Sequence, residues 1–177
     1  GDLDVNGSSK FNHFTEKALL EIRKMGFSHI WLTGIIRHAT CTDFNEPDLE
    51  PDHPAIVKGK AGSPYAVKDF FDVAPGLAKD VNNRMKEFQT LVNRCHQQEL
   101  SVIIDFVPNH VCRQYLSTQK PKEVPALGEN DDSSMQFSAA NNFYYIPGEP
   151  FQIPEGVNTE GLLPYYEMPA RATGNNV

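Results

Sequence analysis

The stretch LSVIIDFVPNH, Leu100 to His110, decides how this chain is read. Its first half, around Val102-Ile103-Ile104, is a short and nearly continuous apolar run. Such a run suits a strand covered on both faces, as in barrels and doubly wound sheets. Its second half turns polar at Asp105, Asn109 and His110. In α/β barrels the active site is built at the C-terminal ends of the strands, so polar side chains leaving this strand point into a site.

Working outward, the same rhythm occurs twice. Asp80 is placed to cap a helix in which Val81, Met85, Phe88, Val92 and Cys95 follow helical spacing, and the strand follows after Glu99. Nearer the N-terminus, FTEKALLEIRKM from Phe14 to Met25 puts Ala18, Ile22 and Met25 on one helical face, with Thr15 as its cap and Gly26 just past its end. SHIWLTGI, Ser28 to Ile35, then reads as a buried parallel strand. Helix, strand, long loop, helix, strand is the order of an α/β fold.

The connections are longer than the roughly 2–6 residues usual in α/β units. Residues 36–79 mix acids, Pro and Gly before the aromatic GSPYAVKDFFDVAP, and after Val111 the chain is rich in Pro, Gly, Asn and Asp with aromatic islands at Phe143-Tyr144-Tyr145 and Tyr165-Tyr166. The expected division is an α/β part over 1–112 and an irregular, partly β subdomain over 113–177. Both ends look cut: Gly1 opens into a loop before a helix with no preceding strand, and the turn-like TGNNV closes at Val177.

Composition narrows the partners. The 177 residues carry 23 acids against 16 bases, a net charge of -7, with 40% hydrophobic and 22% charged residues. No Lys/Arg cluster is present to neutralise phosphates, so nucleic acid is not an expected partner. No apolar run approaches the ~20 residues of a membrane span, so no membrane is expected either. Cys41, Cys95 and Cys112 are odd in number and lie in no zinc-like spacing, which favours a reducing, cytoplasmic compartment without fixing a localisation. Asp43, Glu46, Asp48, Glu50 and Asp52 form a run of carboxylates in a Pro-containing loop, the pattern of a solvated surface. Trp31 and Phe106, inside strand-like runs, read as core, and Cys112 reads as an ordinary thiol.

On two motifs the chain resembles the α-amylase family of glycoside hydrolases, family 13. DFVPNH is similar to the signature that ends the third barrel strand of that family in an Asp-x-x-x-Asn-His pattern. GSPYAVKDFFDV resembles the family stretch between the second strand and the next helix, where a Tyr is followed four residues later by an Asp. The resemblance implies part of a (β/α)8 TIM barrel, about strands 2 and 3 with flanking helices, followed by the start of an irregular inserted domain, the chain being an internal N-terminal piece of a catalytic domain.

It also implies roles. His110 would hydrogen-bond the sugar at the cleavage subsite and Tyr65 would stack beneath it, since aromatic faces suit the CH face of a pyranose and imidazole N–H groups suit its hydroxyls. Asp105 would support the site by pairing with an arginine beyond Val177, and Asp69 would be structural. Asn109 would lend an oxygen to a structural calcium present in many members. The chemistry would need no cofactor. It would use a retaining nucleophile and a general acid/base. In the family these stand on later strands, so no catalytic carboxylate is expected here. The implied parent acts on α-glucans or maltooligosaccharides. Transglycosylases, trehalose- or sucrose-acting relatives, and a non-catalytic partner-binding domain such as the ectodomain of amino-acid transporter heavy chains remain alternatives.

Overall fold

The computed structural model describes residues 9–172. The loop-like opening at 1–8 and the TGNNV stretch at 173–177 lie outside the described residues. Two compact units form, residues 1–37 with 72–106 and residues 38–71 with 107–177. Packing thus groups the chain differently from a cut at residue 112: the long first loop joins the C-terminal segment, because their backbones and buried carboxylates hydrogen-bond to one another.

The first unit holds two helices and a parallel strand pair. Helix α1, Glu16–Lys24, starts where the Thr15 hydroxyl accepts the Ala18 N–H at 3.3 Å. Glu16 in its first turn and Arg23 and Lys24 in its last complement the helix dipole. Gly26, at φ +93°, takes the left-handed turn that stops it. Leu19 is fully buried and Ile22 packs beside it. Ala18 and Met25, expected inside, are exposed. The apolar stripe is centred one position later than expected, and a helix of nine residues ends before Met25 can join it. Helix α2, Arg84–Gln97, follows a short 3₁₀ turn at Val81–Asn83 that Asp80 caps through the Asn82 N–H at 3.1 Å. It buries Leu91 and Cys95, half-buries Met85 and Phe88, and leaves Val92 outside the core.

Strands β1, His29–Leu32, and β4, Ser101–Ile104, pair in parallel with Ile30 opposite Val102 and Leu32 opposite Ile104. Ile30, Leu32 and Val102 face the helices and share their core with Leu19, Leu91 and Leu100. Alternation sends Trp31 and Ile103 the other way, onto a face left open among the described residues. Trp31 is therefore 65% exposed, and beyond the strand end Phe106 is 63% exposed, so neither is core. The expectation of strands covered on both faces holds here for one face only.

A buried ion cluster ties helix to sheet in this unit. Asp72, 3% exposed, accepts the Arg84 guanidinium through Nε at 2.7 Å and Nη2 at 2.8 Å, with Arg37 at 3.5 Å. Arg84 is the first residue of α2 and also donates to the Val81 carbonyl at 2.8 Å.

A second two-stranded sheet pairs β2, Ile36–His38, with β3, Val67–Val73, the strands along which the chain passes from one unit to the other. The second unit also has the antiparallel pair β5, Tyr144–Ile146, and β6, Ala170–Ala172. The rest is irregular, and side-chain carboxylates hold it. Asp131 accepts the Asn142 N–H, the Phe143 N–H and the Tyr145 hydroxyl at 2.8 to 3.0 Å. Asp52, expected on a solvated surface, is instead 3% exposed: it pairs with buried Lys68 at 2.5 Å and accepts the Thr40 N–H at 3.0 Å. A carboxylate with a buried ammonium for a partner is removed from water by that partner, whatever the sequence around it resembles.

Candidate active site

Tyr65 and His110 belong to the same unit, and one stretch of backbone sets both. Two hydrogen bonds join the segment after His110 to β3, the Cys112 N–H on the Val67 carbonyl at 2.8 Å and the Leu116 N–H on the Lys68 carbonyl at 3.1 Å, with a turn at 113–114 between them. Tyr65 stands two residues before Val67, and His110 two before Cys112. Both therefore lie close in sequence to the place where the chain after His110 meets β3.

The turn that delivers Tyr65 depends on Gly62. Its φ is +74°, and a Cβ there would lie 1.8 Å from the Ala39 carbonyl oxygen, so the close approach admits glycine alone. The Ser63 hydroxyl then accepts the Tyr65 N–H at 3.3 Å, and the Ala66 carbonyl accepts the Ala39 N–H at 2.9 Å. Tyr65 itself is 51% exposed, its ring free to meet a ligand.

Asp69 anchors the other side. It is wholly buried and accepts four donors: the Phe71 N–H at 2.9 Å, the Ser117 hydroxyl at 2.6 Å, the Thr118 N–H at 2.8 Å and the Gln119 N–H at 3.3 Å. These bonds hold the segment that follows His110. Sequence reading had not found Ser117 or the loop it belongs to; a buried Asp facing a Ser-Thr pair is a signal only once the two are known to be neighbours.

Asn109 and His110 interact directly, Asn109 Nδ2 lying 3.1 Å from His110 Nδ1. With the amide donating, Nδ1 is the acceptor and the neutral ring carries its proton on Nε2, which has no partner among the described residues. The imidazole thus keeps one N–H donor without a partner among the described residues. As a calcium ligand Asn109 fits only as a single donor: such an ion takes six to eight oxygens, and no group of three His, Cys, Asp or Glu side chains among the described residues is placed to hold a metal.

Asp105 lies in the other unit. Its N–H meets the Leu32 carbonyl at 3.3 Å, and its carboxylate accepts the Trp31 indole N–H at 3.0 Å. That tryptophan contact was missed when Trp31 was read as core. Cys112 is buried, and burial, with the Asp52 carboxylate adding to it, pushes its thiol up to about 12. At neutral pH it is a thiol and no nucleophile. Cys41, Cys95 and Cys112 are all unpaired. No helix among the described residues is long and apolar enough to cross a membrane.

The chain is similar to several known proteins. Over 109 residues, 62% of this chain, it is 29% identical to the amino acid transporter heavy chain SLC3A1 of Rattus norvegicus, of which the match covers 12%. Over 109 residues it is 26% identical to Maltase A1 of Drosophila melanogaster, covering 14% of that protein. The chain therefore spans a small part of the length of these relatives. Among solved structures, an alpha-amylase from Lactobacillus plantarum is 26% identical over 60% of this chain and 21% of its own, with a TM-score of 0.45. The family model for the alpha-amylase catalytic domain matches residues 12–154, which take in both helices, Tyr65 and the whole DFVPNH stretch. The chain belongs to the α-amylase catalytic-domain family.

Proposed function

We propose that this chain is part of a retaining α-glycosidase acting on α-glucans or maltooligosaccharides, and that Tyr65 and His110 clamp the sugar at the cleavage subsite. The observation that carries the reading is the His110 imidazole, braced on Nδ1 by Asn109 with its Nε2 N–H unpartnered, in the same unit as the open Tyr65 ring. A pyranose lying on the Tyr65 face presents hydroxyls at its rim, where such a donor works. Nothing in this pair makes or breaks a bond. The nucleophile and the general acid/base, about 5–5.5 Å apart in a retaining enzyme, are proposed to stand on barrel strands other than β1 and β4.

In the same reading β1 and β4 are neighbouring strands of a (β/α)8 barrel, residues 113–177 begin its inserted subdomain, Asp105 pairs with an arginine near the nucleophile, and Asn109 lends one oxygen to a calcium ion. A reducing-sugar assay on the 177-residue chain, on its full-length parent and on a His110→Ala parent tests the proposal. Hydrolysis by the parent alone, strongly reduced by His110→Ala, is the expected result; sustained hydrolysis by the chain would overturn it.

The likeness to an amino acid transporter heavy chain supports a second reading, a domain that binds a partner protein and hydrolyses nothing. The braced donor at His110 weighs against it, because a partner-binding surface has no use for a sugar clamp. A parent that releases no reducing sugar from any α-glucoside would favour that second reading.

A further inference from the structure

The loop-rich unit contains an open cavity of about 410 Å³ whose walls come from residues 54–58 and 111–113 and from Phe151, Pro154 and Val157, with Ala66 beside them. That volume lies within the roughly 300–1,000 Å³ of small-molecule sites. The cavity is distinct from the proposed clamp: Ala66 and Val111 line it, whereas their neighbours Tyr65 and His110 do not.

Its chemistry is uneven. Ile56, Val111, Phe151 and Val157 make most of the wall apolar. Arg113 is fixed and paired, since its guanidinium lies 3.5 Å from the centre of the Phe151 ring, and Nη1 donates to Glu167, a carboxylate it shares with Arg171, at 3.1 Å and to the Arg171 carbonyl at 2.8 Å. Cys112 adds a protonated, uncharged thiol. Lys58 differs from both. It is an exposed lysine at the cavity with no hydrogen bond or ion pair among the described residues, in a chain whose net charge is -7. An open, mostly apolar pocket with an unpaired lysine at its edge suits an apolar body bearing one negative group.

We propose that this cavity binds a small organic carboxylate with an aryl or branched-alkyl body, its charge meeting Lys58 and its body packing on Phe151 and Val157. The inference does not rest on the glycosidase reading, because it uses none of the clamp residues.

Naphthoate is a suitable probe, with naphthamide as its uncharged counterpart, each titrated into the full chain and followed by amide chemical shifts. The expected result is saturable binding centred on Val57, Val111, Phe151 and Val157, with naphthoate about tenfold tighter than naphthamide for the one charge-assisted contact. Lys58→Gln should leave the two probes equal, and Val157→Trp, filling the chamber, should block both while the circular dichroism spectrum stays that of the parent chain. Absence of saturable binding, equal affinity of the two probes for the unmodified chain, a charge preference surviving Lys58→Gln, or unchanged binding to Val157→Trp would each overturn the proposal.

Discussion

The two units are held together in different ways. In the first, repeating apolar positions on α1, α2, β1 and β4 meet in one core, with Leu19, Leu91 and Leu100 almost wholly buried. In the second, carboxylates, buried at Asp52 and Asp69 and half-buried at Asp131 and Glu167, do much of what a core does elsewhere, each gathering donors from distant stretches of loop. A periodic core is written into the spacing of residues. A carboxylate hub is written only into the fold, because its donors are mostly backbone N–H groups that every residue supplies. The sugar-binding candidates Tyr65 and His110 belong to the second kind of architecture, where an irregular backbone can be bent to aim them.

The largest test of this contrast is Asp72→Ala in the first unit. It removes the carboxylate that two buried guanidinium groups share and is expected to cost about 3–5 kcal/mol in denaturant unfolding. Hydrogen exchange should show the α2 amides losing protection. A loss below 1 kcal/mol would mean that Arg37 and Arg84 reach water without Asp72, and that the apolar core alone sustains the unit.

Asp69→Ala tests the second unit and should cost less, about 1–3 kcal/mol. Thr118 and Gln119 are exposed, so water can take over part of what the carboxylate accepted. Exchange is expected to rise over residues 112–119 while α2 stays protected. Equal loss of protection in α2 would show that the two kinds of architecture are not separate in energy.

A smaller effect is expected in alkali, again on the second unit. Tyr145 is held by burial, and by its hydroxyl donating to Asp131, with its pKa pushed up to about 12. Tyr165 is raised in the same sense by burial and by donation to Glu167. A phenol raised in the folded state releases its proton first from the unfolded chain. Stability from these two is thus complete below pH of about 10 and falls as pH rises toward about 12. Tyrosinate absorbance should rise together with loss of structure around β5. Ionisation of all six tyrosines at ordinary pH without unfolding would contradict the buried phenols.

This contrast also explains what could be read from the residues. Thr15, Gly26 and Asp80 announced the ends of the helices because capping is local chemistry, and the parallel strands followed from short apolar runs. The inward face of α1 was misjudged by one position, since Ala18 and Leu19 both fit a helical stripe and only packing against α2 chooses between them. Trp31 and Phe106 looked like core because a strand sequence does not state how many of its faces are covered. Asp52 looked like surface because its partner Lys68 is 16 residues away. DFVPNH marks a candidate site through its place at a strand end, while the bracing of His110 by Asn109 and the four-donor grip of Asp69 needed coordinates.

The central claim is that Tyr65 and His110 act on one sugar, and a double-mutant cycle on kcat/KM in the full-length parent tests it most directly. Tyr65→Ala, His110→Ala and the double variant would be compared on one maltooligosaccharide. The account predicts that the double variant loses clearly less than the product of the two single losses, with a coupling of about 0.5–3 kcal/mol between residues sharing a bound group. Strictly multiplicative losses, or single variants as active as the parent, would contradict it.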